Sequence, residues 1–168
     1  MKSIIVIGGD GMLGHKVFQT LKTHFSNTMC TIRGSTSDEL YRNMDLFQEV
    51  NIIDNVDAMP TGGLIDILRE LRPSVIVNCI GIVKQRPQAK EFIPSIALNS
   101  LLPHTLANEC ADWGGRLIHF STDCVFSGKR GGYKENDFSD AEDIYGKTKY
   151  LGEVTAENAI ALRTSIIG

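Results

Sequence analysis

At 168 residues the chain is long enough for one well-packed domain and short for two. Apolar residues make up 42%, and 17 basic against 20 acidic side chains leave a net charge of −3. That composition excludes a disordered chain and leaves no cationic excess to neutralise a nucleic-acid backbone. No run approaches the ~20 apolar residues of a membrane span. The run Ile4–Ile7 ends at a glycine pair, too short for a signal-peptide core. The expectation is a cytoplasmic protein with neither membrane nor nucleic acid as partner. The four cysteines (Cys30, Cys79, Cys110, Cys124) form no Cys-x-x-Cys pair and read as reduced structural thiols. No cluster of metal ligands is visible.

Apolar β-branched runs alternate with segments of helical period along the whole chain. Ser3–Gly8 reads as a buried strand, and Met12–His24 as a helix with Leu13, Val17 and Leu21 on one face. Thr28–Ile32 is a second strand, followed by the turn-rich Arg33–Ser37. Asp38–Val50 offers a short helix and Asn51–Ile53 a brief third strand. Thr61–Arg72 carries Leu64, Ile67, Leu68 and Leu71 on one helical face and is stopped by Pro73. Ser74–Cys79 is a fourth strand, apolar throughout as doubly covered parallel strands are. The longest helical pattern runs from Pro94 to Trp113, with Pro103 predicting a kink or two abutting helices. Arg116–Phe120 is a fifth strand, and Ser121–Asp143 a long glycine-containing loop. A helix from Ala141 to Asn158 and a strand Ala159–Arg163 complete the series. This alternation predicts one α/β domain spanning 1–168, a doubly wound parallel sheet of Rossmann type with strand order 3-2-1-4-5-6 and helices on both faces.

The first strand runs directly into Gly8-Gly9-Asp10-Gly11-Met12-Leu13-Gly14, which opens the first helix. In such a loop Gly8 permits the tight turn, Gly11 lets backbone N–H groups approach a pyrophosphate, and Gly14 lets helix and strand pack closely. The helix N-terminus then presents its partial positive charge to the phosphates. The G-x-x-G-x-x-G spacing resembles that of the extended branch of the short-chain dehydrogenase/reductase superfamily. In that setting the end of the second strand reads the cofactor. Here it is Arg33, with no acidic residue before Asp38. A guanidinium there suits a 2′-phosphate, so NADP(H) is favoured and NAD(H) is the alternative; a plain exposed arginine is the competing reading.

Tyr145 and Lys149 stand at i and i+4 on the predicted last helix, which puts phenol and ammonium on one face. A neighbouring cation favours phenolate and would lower the phenol pKa toward a useful range. Thr122, at the carboxyl end of the fifth strand, lies in the crevice where doubly wound sheets bind ligands.

The run Ser121-Thr122-Asp123-Cys124-Val125-Phe126-Ser127-Gly128 and the segment from Gly132 to Glu153 closely resemble the dTDP-4-dehydrorhamnose reductase group of extended short-chain reductases. The resemblance implies that Tyr145 gives its proton to a substrate carbonyl oxygen. Lys149 would hold the nicotinamide ribose and depress the Tyr145 pKa, and Thr122 would bond the carbonyl or the tyrosine. It places Gly8, Gly11, Met12, Leu13, Gly14 and Arg33 on the cofactor, with Asn55 and Val56 toward the adenine. Asn78, Cys79, Ile80 and Gly81 resemble the family's Asn-Ala-Ala stretch beside the cofactor. Asn99 resembles the helix asparagine of these enzymes, though a structural bond to helix backbone is the better reading of it. Cys124 replaces the family's tyrosine, and Ile7 replaces a common threonine. Lys84 and Arg86 read as a solvated loop, with a diphosphate contact as the alternative.

The implied function is reduction of a 4-keto-6-deoxy nucleotide sugar for cell-surface polysaccharide precursors. An epimerase or dehydratase uses the same residues, but Asp123 is followed by Cys124 rather than a second acid, which favours reductase. From another class comes a non-catalytic, dinucleotide-binding regulatory subunit, since some relatives of this group act in that way. Tyr145 and Lys149 argue against it. Family members carry a C-terminal portion that builds most of the sugar pocket, and the sequence stops after the sixth strand, so a fragment of a longer enzyme is expected, with a naturally short relative as the alternative. A homodimer is left open as the assembly.

Overall fold

The computed structural model describes residues 3–48, 51–83 and 91–166. Six strands form the sheet: β1 (Ile4–Ile7), β2 (Thr28–Thr31), β3 (Ile52–Ile53), β4 (Val75–Asn78), β5 (Arg116–Thr122) and β6 (Ala159–Thr164). Their order is β3-β2-β1-β4-β5-β6, and every pairing is parallel, as the strand–helix alternation predicts. The helices are α1 (Met12–His24), α2 (Glu39–Arg42), α3 (Leu64–Leu71), α4 (Phe92–Ser95), α5 (Leu102–Asp112) and α6 (Ile144–Leu151).

Alternation along the strands sorts the core into two layers. Ile5, Ile7, Ile76 and Leu117 face one side, packed with Leu64 and Leu68 of α3 and Leu102, Leu106 and Cys110 of α5. Ile4, Val6, Cys30 and Val77 face the other, packed with Phe18 of α1, Tyr41 of α2 and Phe47. Because β1 and β4 are covered on both faces, their sequences are apolar at every position but the last, Asn78, which reaches the carboxyl edge. That edge is where the crevice of a doubly wound sheet forms.

The short helix expected within Asp38–Val50 is present as α2, followed by a 3₁₀ turn at Asp45–Phe47. Two of the later helices differ from the sequence expectation. The long helix runs from Phe92 to Asp112, and the kink expected at Pro103 takes the form of a π-helical stretch, Ile96–Leu101, just upstream. Pro103 has no N–H to offer the Asn99 carbonyl four residues back, and a widened turn relieves the clash of its ring with that carbonyl. The last helix stops at Leu151 rather than Asn158. Gly152 lies against the same Asn99 carbonyl so closely that a Cβ there would overlap the oxygen, and the chain turns away. Lys84 and Arg86 lie outside the described residues.

Candidate active site

The loop between β1 and α1 has the geometry that its glycines require. Gly8 has a φ of +80°, a left-handed conformation that side chains disfavour. A Cβ on Gly14 would overlap the Gly8 carbonyl, so only glycine lets α1 approach the strand this closely. Gly9 needs the same allowance, a point the motif reading passes over: its Cβ would collide with the Cys30 sulfur beneath it. Gly11 caps α1 with no side-chain bond and no acidic residue in the first turn, which leaves the helix N-terminus open to an anion. Met12 is exposed and Leu13 half-buried beside it.

Asp10, also overlooked in the sequence, ties this loop to the end of β2. Its carboxylate accepts the Arg33 backbone N–H at 3.1 Å and the Tyr41 hydroxyl at 2.9 Å, which leaves the Arg33 residue exposed at the loop's rim. Next to it, Asp54 gathers the Thr36 N–H (2.9 Å), Thr36 Oγ1 (3.1 Å) and Ser35 Oγ (3.3 Å), and the Thr36 N–H above all holds its carboxyl below the usual range. Asn55 follows with a φ of 56° and is exposed, whereas the Val56 side chain belongs to the core.

At the carboxyl end of β4 the chain passes close to both the glycine loop and α6. Ile80 abuts Gly8, its Cγ1 2.6 Å from where a Gly8 Cβ would stand. A Cβ on Gly81 would lie 3.2 Å from Asn99 Oδ1 and 3.7 Å from Lys149 Nζ, so the chain after β4 passes close beside the buried ammonium. Asn99 accepts the Ile82 N–H at 2.8 Å and donates to the Ile82 carbonyl and to Thr148 Oγ1, both at 3.2 Å. Its role in the fold is thus to hold the loop after β4 against α6, rather than to bond its own helix. Cys79 is half-buried, and burial pushes its thiol up to about 12.

Asp143 caps α6 through the Gly146 N–H at 2.8 Å, and the helix brings Tyr145 beside the end of β5. Burial pushes the Tyr145 phenol above its ordinary value, with the neighbouring Thr122 hydroxyl acting against the rise. Thr122 Oγ1 also receives the Cys124 N–H at 3.2 Å. Lys149 is 4% exposed. Its ammonium donates to the Phe120 carbonyl at 2.6 Å and lies 3.4 Å from His119 Nε2. Burial, partly offset by Glu153, holds Lys149 at about 8. The expectation that Lys149 turns toward Tyr145 and lowers its pKa is not what the geometry shows: the ammonium points into the sheet, and the phenol is raised.

Two features of the site escaped the sequence reading. His119 is fully buried between Asn78 and Lys149, and burial brings it down to about 3. A lone histidine in an apolar strand resembles core filling; the β4–β5 register that sets Asn78 opposite His119 is not written in either segment. The second is a latch. Glu153, just past α6, takes two bonds from Arg163 of β6 and one from Ser121 of β5, each 2.7 Å. The Arg163 guanidinium also lies 5.0 Å over the Phe126 ring, which stacks on Tyr133 at 4.5 Å. The long loop expected over Ser121–Asp143 is held by its own side chains: Ser127 and Tyr133 both bond Asp140, and Ser139 bonds the Val125 carbonyl.

A glycine-cradled helix N-terminus on β1 and a Thr–Tyr–Lys set at the carboxyl end of β5, on a 3-2-1-4-5-6 sheet, define a Rossmann-type domain of the short-chain dehydrogenase/reductase class. Residues 1–167 match the family model for the RmlD substrate binding domain, and the chain belongs to that family. It is similar to methionine adenosyltransferase 2 subunit beta of Pongo abelii, 33% identical over 157 residues, which cover 90% of this chain and 42% of that one. It is also similar to the spore coat polysaccharide biosynthesis protein SpsK of Bacillus subtilis, at 28% identity over 98% of this chain and 53% of that one. The solved structure of a dTDP-4-dehydrorhamnose reductase from Bacillus anthracis in complex with NADP shares the fold, with a TM-score of 0.72 and 23% identity over 97% of this chain and 53% of that one. The chain thus spans about half the length, or less, of the relatives it matches. Among the described residues no helix is long and apolar enough to cross a membrane, and no cluster of His, Cys, Asp and Glu is arranged to hold a metal ion.

Proposed function

We propose that this chain is the dinucleotide-binding and proton-transferring part of a cytoplasmic, NADPH-preferring reductase of a 4-keto-6-deoxy nucleotide sugar, serving cell-surface polysaccharide synthesis. The observation that carries this is the placement of Tyr145 and Lys149, one turn apart on α6, beside Thr122 at the carboxyl end of β5, on the same sheet as an uncapped helix N-terminus after β1. The residues fit a dinucleotide: Gly8, Gly9 and Gly14 allow the tight turn and close packing that bring the loop backbone to the start of α1, and the α1 N-terminus has no side-chain cap. Gly11, Met12 and Leu13 would meet the pyrophosphate and Arg33 a 2′-phosphate. Asn55 and Val56 would border the adenine, and Cys79, Ile80, Gly81 and Asn99 the wall leading to Lys149. When bound, the nicotinamide supplies the hydride.

The chain's own residues handle the proton. Burial keeps the Tyr145 phenol protonated at neutral pH, so it is poised to donate to the carbonyl oxygen as charge develops there. Thr122 orients that hydroxyl. Lys149, already desolvated, would hold the nicotinamide ribose beside Gly81.

A second reading, a non-catalytic subunit that binds dinucleotide, is favoured by the similarity to a methionine adenosyltransferase subunit beta. Calorimetric titration of the chain with NADPH and NADH, followed by NADPH consumption with dTDP-4-dehydrorhamnose by a full-length form that carries the C-terminal portion, separates the two. Trp113 is unsuited as the reporter, because its indole bonds the Pro73 carbonyl at the opposite edge of the sheet. The reductase reading expects tighter binding of NADPH and turnover that drops ~100-fold or more in Tyr145→Phe with binding intact. Binding without turnover supports the regulatory reading. A folded chain that binds neither nucleotide refutes both.

A further inference from the structure

The polar side chains buried behind Tyr145 form a chain whose direction is fixed at one end. Asn78 Oδ1 accepts the Ile80 backbone N–H at 3.0 Å. A backbone N–H can only donate, so this contact settles which end of the amide is oxygen and turns Nδ2 toward His119 Nδ1, 3.0 Å away. An amide nitrogen has hydrogens to give and no lone pair to accept with, so Nδ1 of His119 must be the acceptor. The imidazole is then neutral with its proton on Nε2. Protonating Nδ1 would set two donors against each other where Asn78 and His119 are both 0% exposed and no solvent can separate them. Nε2 in turn faces Lys149 Nζ at 3.4 Å, while Nζ donates to the Phe120 carbonyl. An Nε2–H can donate to the lone pair of a neutral amine, and it opposes an ammonium.

We propose that His119 is a positioning residue: held by Asn78 as the Nε2–H tautomer, it aims a donor at Lys149 and so makes Lys149, not itself, the group of this site that gains and loses a proton.

The surrounding groups agree with this direction. From β4, Cys79 presents a thiol that burial keeps uncharged. From the π-helical stretch, Asn99 brings a neutral amide that is committed to Ile82 and Thr148. On α6 itself Tyr145 precedes Lys149 by one turn and is held as phenol. Glu153 follows by one turn and favours the ammonium, but its carboxylate is already engaged by Arg163 and Ser121. His104 of α5 acts on His119 in the same sense as Lys149, opposing a second proton on the ring. The consequence for the reaction rests on the roles proposed for Tyr145 and Lys149: whenever Lys149 gives up its proton, it becomes an amine whose lone pair accepts the waiting Nε2–H. The tautomer itself does not depend on that reading.

The test uses the ligand-free chain and no turnover. Histidine-ring ¹H–¹⁵N correlation spectra distinguish the Nδ1–H and Nε2–H forms, and the ¹³Cε shift of Lys149, assigned by its loss in Lys149→Met, reports its charge. From pH 5 to 10 His119 should remain the Nε2–H form without titrating, while Lys149 titrates near 8. Asn78→Asp keeps an oxygen for Ile80 and gives Nδ1 an oxygen to donate to. It should switch the ring to the Nδ1–H form and move the Lys149 midpoint up by about one pH unit or more. An Nδ1–H ring in the unaltered chain, a His119 that titrates between pH 5 and 8, or a Lys149 midpoint at the ordinary ~10.4 would each overturn the proposal. So would an Asn78→Asp chain that folds and keeps the original tautomer. Should that variant fail to fold, the spectra of the unaltered chain decide the matter.

Discussion

A lysine held at about 8 inside the fold is a charge that the native state tolerates at a cost, and that cost has a pH signature. Unfolded, Lys149 regains its ordinary value of 10.5. Between those two values the unfolded chain binds more protons than the folded one, so stability rises with pH across that window. Below pH 8 the penalty is fully present, and the difference in affinity for one proton amounts to about 3 kcal/mol. Lys149→Met retains the length of the side chain and removes the amine. It forfeits the bond to the Phe120 carbonyl, about 1 kcal/mol, so at pH 7 the variant should be the more stable chain by roughly 2 kcal/mol. The unaltered chain should overtake it as the pH approaches 10. The wild-type curve alone cannot show this. Burial raises the thiols of Cys30, Cys79 and Cys110 to about 12, 12 and 11 from an ordinary 9.0, so the unfolded chain loses those protons first and stability falls above pH 9. Both chains share these thiols, so the difference between them isolates the lysine. Urea denaturation followed by far-ultraviolet circular dichroism at pH 7, 8, 9 and 10 measures it. A difference constant to within about 0.5 kcal/mol over that range would refute a desolvated, titrating Lys149.

Other substitutions test the remaining parts. Arg33→Ala should weaken NADPH binding roughly tenfold or more and leave NADH within twofold, measured by calorimetry, because it removes a charge-assisted contact to a phosphate that NADH lacks. Gly14→Ala should lower stability by about 1–3 kcal/mol despite alanine's better helix propensity, since its Cβ would overlap the Gly8 carbonyl; an unchanged urea midpoint would contradict the packing of α1 on β1. On β6, Ile160 and Leu162 are 52% and 36% exposed beside Ile118 and Phe120, their register partners on β5. The native chain should therefore bind the dye ANS, and Ile160→Thr with Leu162→Thr should reduce that fluorescence without shifting the urea midpoint by more than about 1 kcal/mol.

The sheet was legible because its strands are covered on both faces, which makes runs such as Ile4–Ile7 and Val75–Val77 uniformly apolar. Helix α1 begins at Met12 and ends at His24 as its period predicts, since capping and periodicity are local. What could not be read depends on distant pairings. Pro103 announces a disturbance, but its form, a π-helical stretch with Gly152 packed on the Asn99 carbonyl, is not written in the segment itself. The same contact ends α6 seven residues early, although its sequence carries no stop signal stronger than one glycine. The glycine loop, Thr122, Tyr145 and Lys149 were visible as spaced motifs. Asp10, His119 and the Glu153–Arg163 pair were not, because each takes its meaning from a partner on another strand or helix.

The Glu153–Arg163 latch also makes β6 part of the wall that holds Tyr145 and Lys149. One carboxylate closes the end of α6, the edge strand and Ser121 of β5 together, so strand and helix open as one body. Edge strands are usually the first elements to exchange their amide hydrogens with solvent. In this molecule the amides of β6 and of α6 should exchange with one common opening free energy, and each such opening dismantles the proton-transferring site while β1, β2 and β4 remain intact. The lifetime of the site is then set at the margin of the sheet rather than at its centre.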